Sequence, residues 1–203
     1  MNLPNKLTVI RTILVPIMVI IPFFNIQGEL VLPFLTISYT NLIILLIFSI
    51  ASYTDHLDGK IARSRNIVTT FGKFLDPLAD KILVLSAMMM LVEADKLPAW
   101  IPIITIAREF VVSGYRLIAV EKNGNVIAAN IWGKIKTVTQ MAAIILAILD
   151  VNAFATCFNG TLTGFALVHN ILTTVFMIAS VIATIFSGVN YLKGCKELLN
   201  DMK

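Results

Sequence analysis

"DHLDGKIARSRNIVTTFGKFLDPLADK", residues 55–81, sets four aspartates where two apolar runs, 39–62 and 74–92, face each other. Those runs decide the fold. A helix needs about 20 mostly apolar residues to cross a hydrocarbon core of roughly 30 Å, and 39–62 and 74–92 each meet that length. Four more windows do so as well: 7–24, 99–121, 133–150 and 165–192. Of the 203 residues 58% are apolar, and the mean hydropathy is +0.87, outside the range of ordinary water-soluble domains. The expectation is an all-α polytopic membrane protein with six transmembrane helices, forming one membrane-embedded domain over residues 1–203. There is no repeat and no low-complexity tract. The first apolar run has no small-x-small cleavage site, so it is expected to remain as a span.

Charge placement orients the bundle. Lys6 and Arg11 open the first span, and Lys60, Arg63, Arg65 and Lys73 lie between the second and third. Arg116, Lys122, Lys134 and Lys136 lie between the fourth and fifth, and Lys193, Lys196 and Lys203 follow the sixth. The other connections hold Lys96 beside Glu29, Glu93, Asp95 and Asp150. The positive-inside rule therefore predicts a multi-pass protein of the cell membrane with both termini and the aspartate segment in the cytoplasm. The net charge of +4 belongs to one face, suited to anionic lipid and phosphate rather than nucleic acid. Cys157 and Cys195 fall on opposite sides, which argues against an intrachain disulfide and leaves no metal or redox signature.

The aspartates pair by spacing. Asp55 and Asp58 are three apart and Asp76 and Asp80 four apart, so each pair shares a helix face. Two helices joined by a short loop bring the faces together, and their mutual repulsion calls for neutralisation by divalent cations. All-carboxylate ligands select Mg²⁺, Mn²⁺ or Ca²⁺, while scarce His and Cys argue against zinc. His56 points about 100° away from Asp55 and reads as a rim residue. Gly59 and Ala62 clear the surface beside the carboxylates, and Arg63 offers a forked donor for phosphate. Metal, cleared surface and guanidinium together point to a nucleotide diphosphate held by its phosphates.

Asp55-x-x-Asp58-Gly59-x-x-Ala62-Arg63, eight residues, then Gly72-x-x-x-Asp76-x-x-x-Asp80 resembles the signature of the CDP-alcohol phosphatidyltransferases position for position. The resemblance implies that Asp55, Asp58, Asp76 and Asp80 hold two divalent metal ions, Mg²⁺ or Mn²⁺, with Asp80 also the general base. It implies that Gly59, Ala62, Arg63 and Gly72 belong to the CDP-diacylglycerol site, and that the enzyme is a homodimer. The opening "NLPNKLTVIRTILVP" is similar to the branch of the family whose acceptor is glycerol 3-phosphate. Asn5, Thr8 and Arg11 then join the nucleotide site, although a helix cap followed by a positive-inside anchor would give the same spacing.

A second stretch, "AREFVVSGYRLIAVEKNGNVIAANIWGKIKTVTQM", residues 107–141, is similar to the same branch through Arg108, Glu109, Arg116, Lys134 and Lys136. A phosphorylated acceptor needs several reachable cations, and Arg108, Arg116, Lys134 and Lys136 are the candidates. Charges as deep as Arg108 and Glu109 are usually functional. Glu109 could instead pair with Arg116, and Lys134 and Lys136 could be an inside-positive rim. The implied reaction joins CDP-diacylglycerol and sn-glycerol 3-phosphate to give phosphatidylglycerophosphate and CMP. Three readings compete with it: another acceptor (phosphatidylglycerol, inositol phosphate or serine), an intramembrane prenyltransferase, and a divalent-cation transporter. Prenyltransferases lack the Gly-x-x-Ala-Arg insertion, and a transporter wants its acidic residues nearer mid-membrane. Elsewhere, Ser187 and Gly188 read as close helix packing, Trp100 and Trp132 as interface markers, Met88 to Met90 as lipid-facing or core packing, and His169 and Asn170 as interhelical hydrogen-bonding groups.

Overall fold

A computed structural model describes the backbone over residues 3–24, 26–32, 35–64, 70–123 and 131–200, and side chains over 7–24, 26–31, 36–54, 78–115 and 131–192. Six helices follow the six apolar windows: α1 Leu3–Ile20, α2 Tyr39–Ser64, α3 Thr70–Glu93, α4 Trp100–Asn123, α5 Ile131–Leu149 and α6 Gly164–Asn200. Short 3₁₀ turns at Ile21–Phe24 and Thr156–Asn159 adjoin the bundle. α6 outruns its window by eight residues because backbone helicity continues through Lys, Glu and Leu, all good helix formers, after hydropathy has fallen.

The fold is not purely helical. Between α1 and α2 the chain forms a hairpin of β1 Glu29–Leu32 and β2 Leu35–Ser38, antiparallel, with Glu29 opposite Ser38 and Leu32 opposite Leu35. Gly28, at φ +117°, starts it in a conformation that a side chain rarely adopts. The Tyr39 ring fills the space where a Cβ would stand, and the Tyr39 amide donates to the Gly28 carbonyl at 3.1 Å. Alternating β-formers such as Val31, Thr36 and Ile37 account for the strands.

α5 packs along α6, α1 against α2 and α3, and α4 against α6. The shared core includes Met18 of α1, Phe48 of α2, Leu83 and Met88 of α3, Ile144 of α5 and Met177 of α6. Small side chains let α5 and α6 approach, with Ala143, Ala147 and Ala183 buried between larger neighbours. Thr173, Ser180 and Thr184 turn their hydroxyls onto carbonyls of their own helix at 2.6–3.0 Å, so no polar atom of theirs is left facing hydrocarbon. The outer surface is apolar as well: Ile13, Leu46, Ile103, Phe110, Val138 and Val175 are all exposed. A water-soluble domain rarely leaves so much apolar surface uncovered. Among the described residues, three stretches are long and apolar enough to cross a membrane: 7–24, 131–149 and 164–192.

The connections 21–38, 94–99 and 150–163 gather at one end. Phe154 donates its amide to the Lys96 carbonyl at 3.0 Å, and the Lys96 amine donates to the Ile148 carbonyl at 3.4 Å. Asn170 donates to Asp150 at 2.9 Å and to the Ala153 carbonyl at 3.0 Å, and accepts from the Cys157 amide at 2.8 Å. His169 Nε2 lies 3.0 Å from the Leu146 carbonyl. Cys157 is a free thiol.

Candidate active site

The other end holds the aspartate pairs and a cluster of basic side chains around Glu109. Asp55 and Asp58 fall in α2, Asp76 and Asp80 in α3, and those two helices pack on each other. Continuous helix through both pairs keeps each pair on one face. The side chains of Asn5, Asp55, Asp58, Gly59, Ala62, Arg63, Gly72, Asp76 and Arg116 lie outside the described residues. Asp80 is described: it is half-buried and lines a cavity of about 110 Å³ with Lys81, Arg108, Glu109, Lys136 and Thr137.

α1 supplies Thr8 and Arg11, both fully buried. Thr8, Arg11, Val15 and Met18 form one stripe at helical spacing, and its last two members belong to the core shared with α2 and α3. The stripe therefore turns Thr8 and Arg11 towards the helices that carry the aspartates. Thr8 is not a helix cap; it sits within α1, and its carbonyl accepts from the Thr12 hydroxyl at 2.9 Å.

Glu109 is the hub of the cavity. Its Oε1 accepts from Arg108 and from Lys136, each at 2.8 Å. Its Oε2 lies 3.7 Å from the Lys81 amine, which also donates to the Ser113 hydroxyl. Three cations thus converge on one carboxylate from α3, α4 and α5. Unpaired charge is expensive at partly buried positions, so this pairing is what lets α4 carry Arg108 and Glu109 there.

Arg108 is held by neighbours from α4, α5 and α6, although its buried Nε has no hydrogen-bond partner among the described residues. Its guanidinium donates to the Ser187 hydroxyl and lies 5.8 Å from the centroid of the Tyr191 ring, within cation–π range. Tyr191 meets Tyr115 edge-on at 5.7 Å between centroids. The Arg108 stem passes Gly188, where an added Cβ would come within 3.4 Å of its Cγ, and the guanidinium passes Gly133, at 3.5 Å from the equivalent point. Ser187 and Gly188 do permit close approach, and what approaches is an arginine side chain.

Of the four acceptor candidates, the structure brings Arg108 and Lys136 together and leaves Lys134 apart. Lys136 lies on the buried stripe of α5 with Gln140, Ala143 and Ala147, so it is more than a charged rim. Lys134, two residues earlier and about 200° around the helix, is exposed and lines no part of the cavity. Lys81 was not anticipated as a site residue, nor Ser113 as its partner. Both were legible: Lys81 precedes the buried Val84 and Met88 at helical spacing, and Ser113 is one turn beyond Glu109.

A family model described as CDP-alcohol phosphatidyltransferase matches residues 1–186. The chain is 49% identical over 144 residues to the CDP-diacylglycerol–glycerol-3-phosphate 3-phosphatidyltransferase of Bacillus subtilis, covering 70% of this chain and 74% of that protein. It is 35% identical over 204 residues to the protein of the same name from Haemophilus influenzae, covering 98% and 96%. The one from Rickettsia felis is 32% identical over 196 residues, covering 97% and 96%.

Proposed function

The chain belongs to the CDP-alcohol phosphatidyltransferase family, and from that premise we propose that it transfers the phosphatidyl group of CDP-diacylglycerol to sn-glycerol 3-phosphate, yielding phosphatidylglycerophosphate and CMP. The observation that carries the choice of acceptor is the gathering of Lys81, Arg108 and Lys136 around one carboxylate in the cavity lined by Asp80. A neutral alcohol has no use for such a surplus of positive charge. An acceptor that carries a phosphate does.

Asp55, Asp58, Asp76 and Asp80 fit two hard divalent ions, Mg²⁺ or Mn²⁺: all are carboxylates, the pairs lie on packed helices, and Asp80 lines a polar cavity. When bound, such ions supply neutralisation of the charge on the diphosphate and on departing CMP. Asp80 takes the proton of the acceptor's primary hydroxyl. The hydroxyl oxygen forms a bond to the phosphorus that bears diacylglycerol, the bond from that phosphorus to the CMP oxygen breaks, and the electron pair leaves with CMP. Arg108, Lys136 and Arg116 attract the acceptor's phosphate and so hold its hydroxyl near Asp80. Asn5, Thr8, Arg11, Gly59, Ala62, Arg63 and Gly72 form the CDP-diacylglycerol side. Lys134, on the outer face of α5, serves as a positive-inside anchor.

All six helices cross the membrane, with the aspartate end and both termini in the cytoplasm and the hairpin outside, as the basic residues dictate. The whole chain works as one domain, and two copies form a homodimer. The test is CMP release by purified protein in lipid vesicles with divalent metal. Release only when CDP-diacylglycerol and glycerol 3-phosphate are both present is the expected result. Release with phosphatidylglycerol, inositol phosphate or serine in place of glycerol 3-phosphate reassigns the acceptor.

A further inference from the structure

Glu109 does not share its charge equally. Arg108 and Lys136 each lie 2.8 Å from it with side chains 11% and 10% exposed, whereas Lys81 stands 3.7 Å away and is 29% exposed. Attraction falls with distance and with access of water. Among the described residues the other partner of Lys81 is the neutral hydroxyl of Ser113, and a neutral acceptor binds an ammonium far less strongly than an anion does. Arg108 is pinned between Gly133, Ser187 and Tyr191, and Lys136 is buried on α5. Of the three cations, Lys81 is the one free to change partners at least expense.

Lys81, Arg108 and Lys136 outnumber Glu109 and Asp80 in the lining by one positive charge, so the cavity is net positive. A phosphate monoester carries about −1.5 to −2 at neutral pH, so a net positive cavity draws it in. Position adds a second argument. Asp80 and Lys81 are consecutive in α3 and both line the cavity. An acceptor with a hydroxyl at one end of three carbons and a phosphate at the other can meet both residues at once.

Resting on the reading given above, we propose that Lys81 is a specificity-determining residue: it pairs with the phosphate of the acceptor, while Glu109 keeps Arg108 and Lys136 in place beside it. Lys81 thereby separates phosphorylated from unphosphorylated short alcohols.

The experiment uses the full chain, purified in detergent and in vesicles, as wild type and as Lys81→Gln, Lys81→Arg and Ser113→Ala. Equilibrium dialysis measures binding of glycerol 3-phosphate, and CMP release compares glycerol 3-phosphate with glycerol, which has the same hydroxyl and no phosphate. Loss of a charge-assisted contact predicts that Lys81→Gln weakens glycerol 3-phosphate binding and raises its KM about ten- to a hundredfold. The KM for CDP-diacylglycerol stays within about twofold, and the preference for glycerol 3-phosphate over glycerol falls by the same factor as binding. Lys81→Arg restores most of the preference. Ser113→Ala, which removes the hydroxyl partner and keeps the charge, retains it. If Lys81 merely tied α3 to α4, Ser113→Ala would mimic Lys81→Gln, and both acceptors and CDP-diacylglycerol would suffer alike; that result overturns the inference. Unchanged binding by Lys81→Gln also overturns it, as does a wild type that binds no glycerol 3-phosphate. A wild type that binds glycerol 3-phosphate through Lys81 but releases no CMP sinks the proposed reaction and leaves the Lys81 assignment standing.

Discussion

The two ends of the bundle solve the same problem in opposite ways. At the hairpin end, Asp150 is buried and accepts from Asn152 at 2.9 Å and from Asn170 at 2.9 Å, and Lys96 donates to a backbone carbonyl. The adjacent cavity, about 250 Å³ between Pro22, Ile44, Met90, Leu91, Lys96 and Ile148, is mostly apolar. One base stands near one acid, and fixed donors satisfy the rest. At the aspartate end three bases converge on Glu109 in a smaller polar cavity. Balanced charge with satisfied hydrogen bonds holds a fold together, whereas surplus charge around a cavity waits for an ion. Under the proposed function the smaller, polar cavity is the reacting one and the larger, apolar cavity is not.

Substitutions at the aspartate end should strike catalysis first. Asp80→Asn keeps the size of the side chain and one acceptor oxygen but cannot take the hydroxyl proton. A positioned base contributes about 10²–10⁴ in rate, so kcat should fall that far while the protein remains folded. If excess Mg²⁺ or Mn²⁺ restored kcat, the defect would be in metal affinity and another group would be the base. Asp58→Asn, assigned to metal alone, should recover in part under the same titration.

Glu109→Gln comes next. It removes the anion and leaves Lys81, Arg108 and Lys136 facing one another. Breaking a buried pair costs about 3–5 kcal/mol, and at the 16% exposure of Glu109 the lower end, about 3 kcal/mol, is expected. Thermal unfolding of the purified variant should show the loss, and KM for glycerol 3-phosphate should rise with it because the cations are no longer held in register. A variant as stable as wild type would mean that the cavity needs no internal anion, and the contrast between the ends would weaken.

At the hairpin end the expected effect is on stability alone. Asn170→Leu leaves the Ala153 carbonyl, the Cys157 amide and one oxygen of Asp150 without the partner each has now. An orphaned buried polar group costs roughly 1–3 kcal/mol; partial access of water to the connection puts the net near 2 kcal/mol. The thermal midpoint should drop, while kcat and both KM values at a permissive temperature stay at wild-type levels. A changed KM for glycerol 3-phosphate would show that the two ends are coupled through α6.

Much of this division was legible in the sequence, for physical reasons that differ by residue. Hydropathy placed the helix ends to within four residues, apart from the last eight residues of α6, because lipid exposure and core burial both demand apolar side chains. The aspartate pairs announced themselves because three- and four-residue spacings define a helix face. Lys136 and Lys134 look alike in sequence, and only the stripe through Gln140, Ala143 and Ala147 separates the buried lysine from the exposed one. The pairing of Glu109 across α3 and α5 was not legible, since a carboxylate in mid-helix does not say which neighbour will reach it. The hairpin was missed for a different reason. "ELVLPFLTIS", residues 29–38, is apolar enough to pass as the margin of a span, and its alternation is too short to outweigh the helical windows on either side.

The smallest effect concerns Lys96, and it tests whether the hairpin end is as balanced as its geometry indicates. Burial pulls the Lys96 amine below the ordinary lysine range, and the charge of Asp150 opposes that pull. In the unfolded chain the same amine titrates near 10.4, so between the lowered folded value and that point the unfolded state binds more protons. Stability must then rise with pH across this window, as the burial penalty on the charged amine is relieved, and the gain is complete above the unfolded value. Lys96→Met abolishes the titration. The difference in thermal midpoint between wild type and Lys96→Met, measured over pH from neutral towards 10.4, cancels the titration of the other lysines and should drift in favour of wild type as pH rises. Turnover at neutral pH should not change, because Lys96 lies beyond the Glu93 end of α3, more than three turns from Asp80. Parallel midpoint curves would mean that Asp150 compensates the burial fully and that this end carries no charge penalty at all.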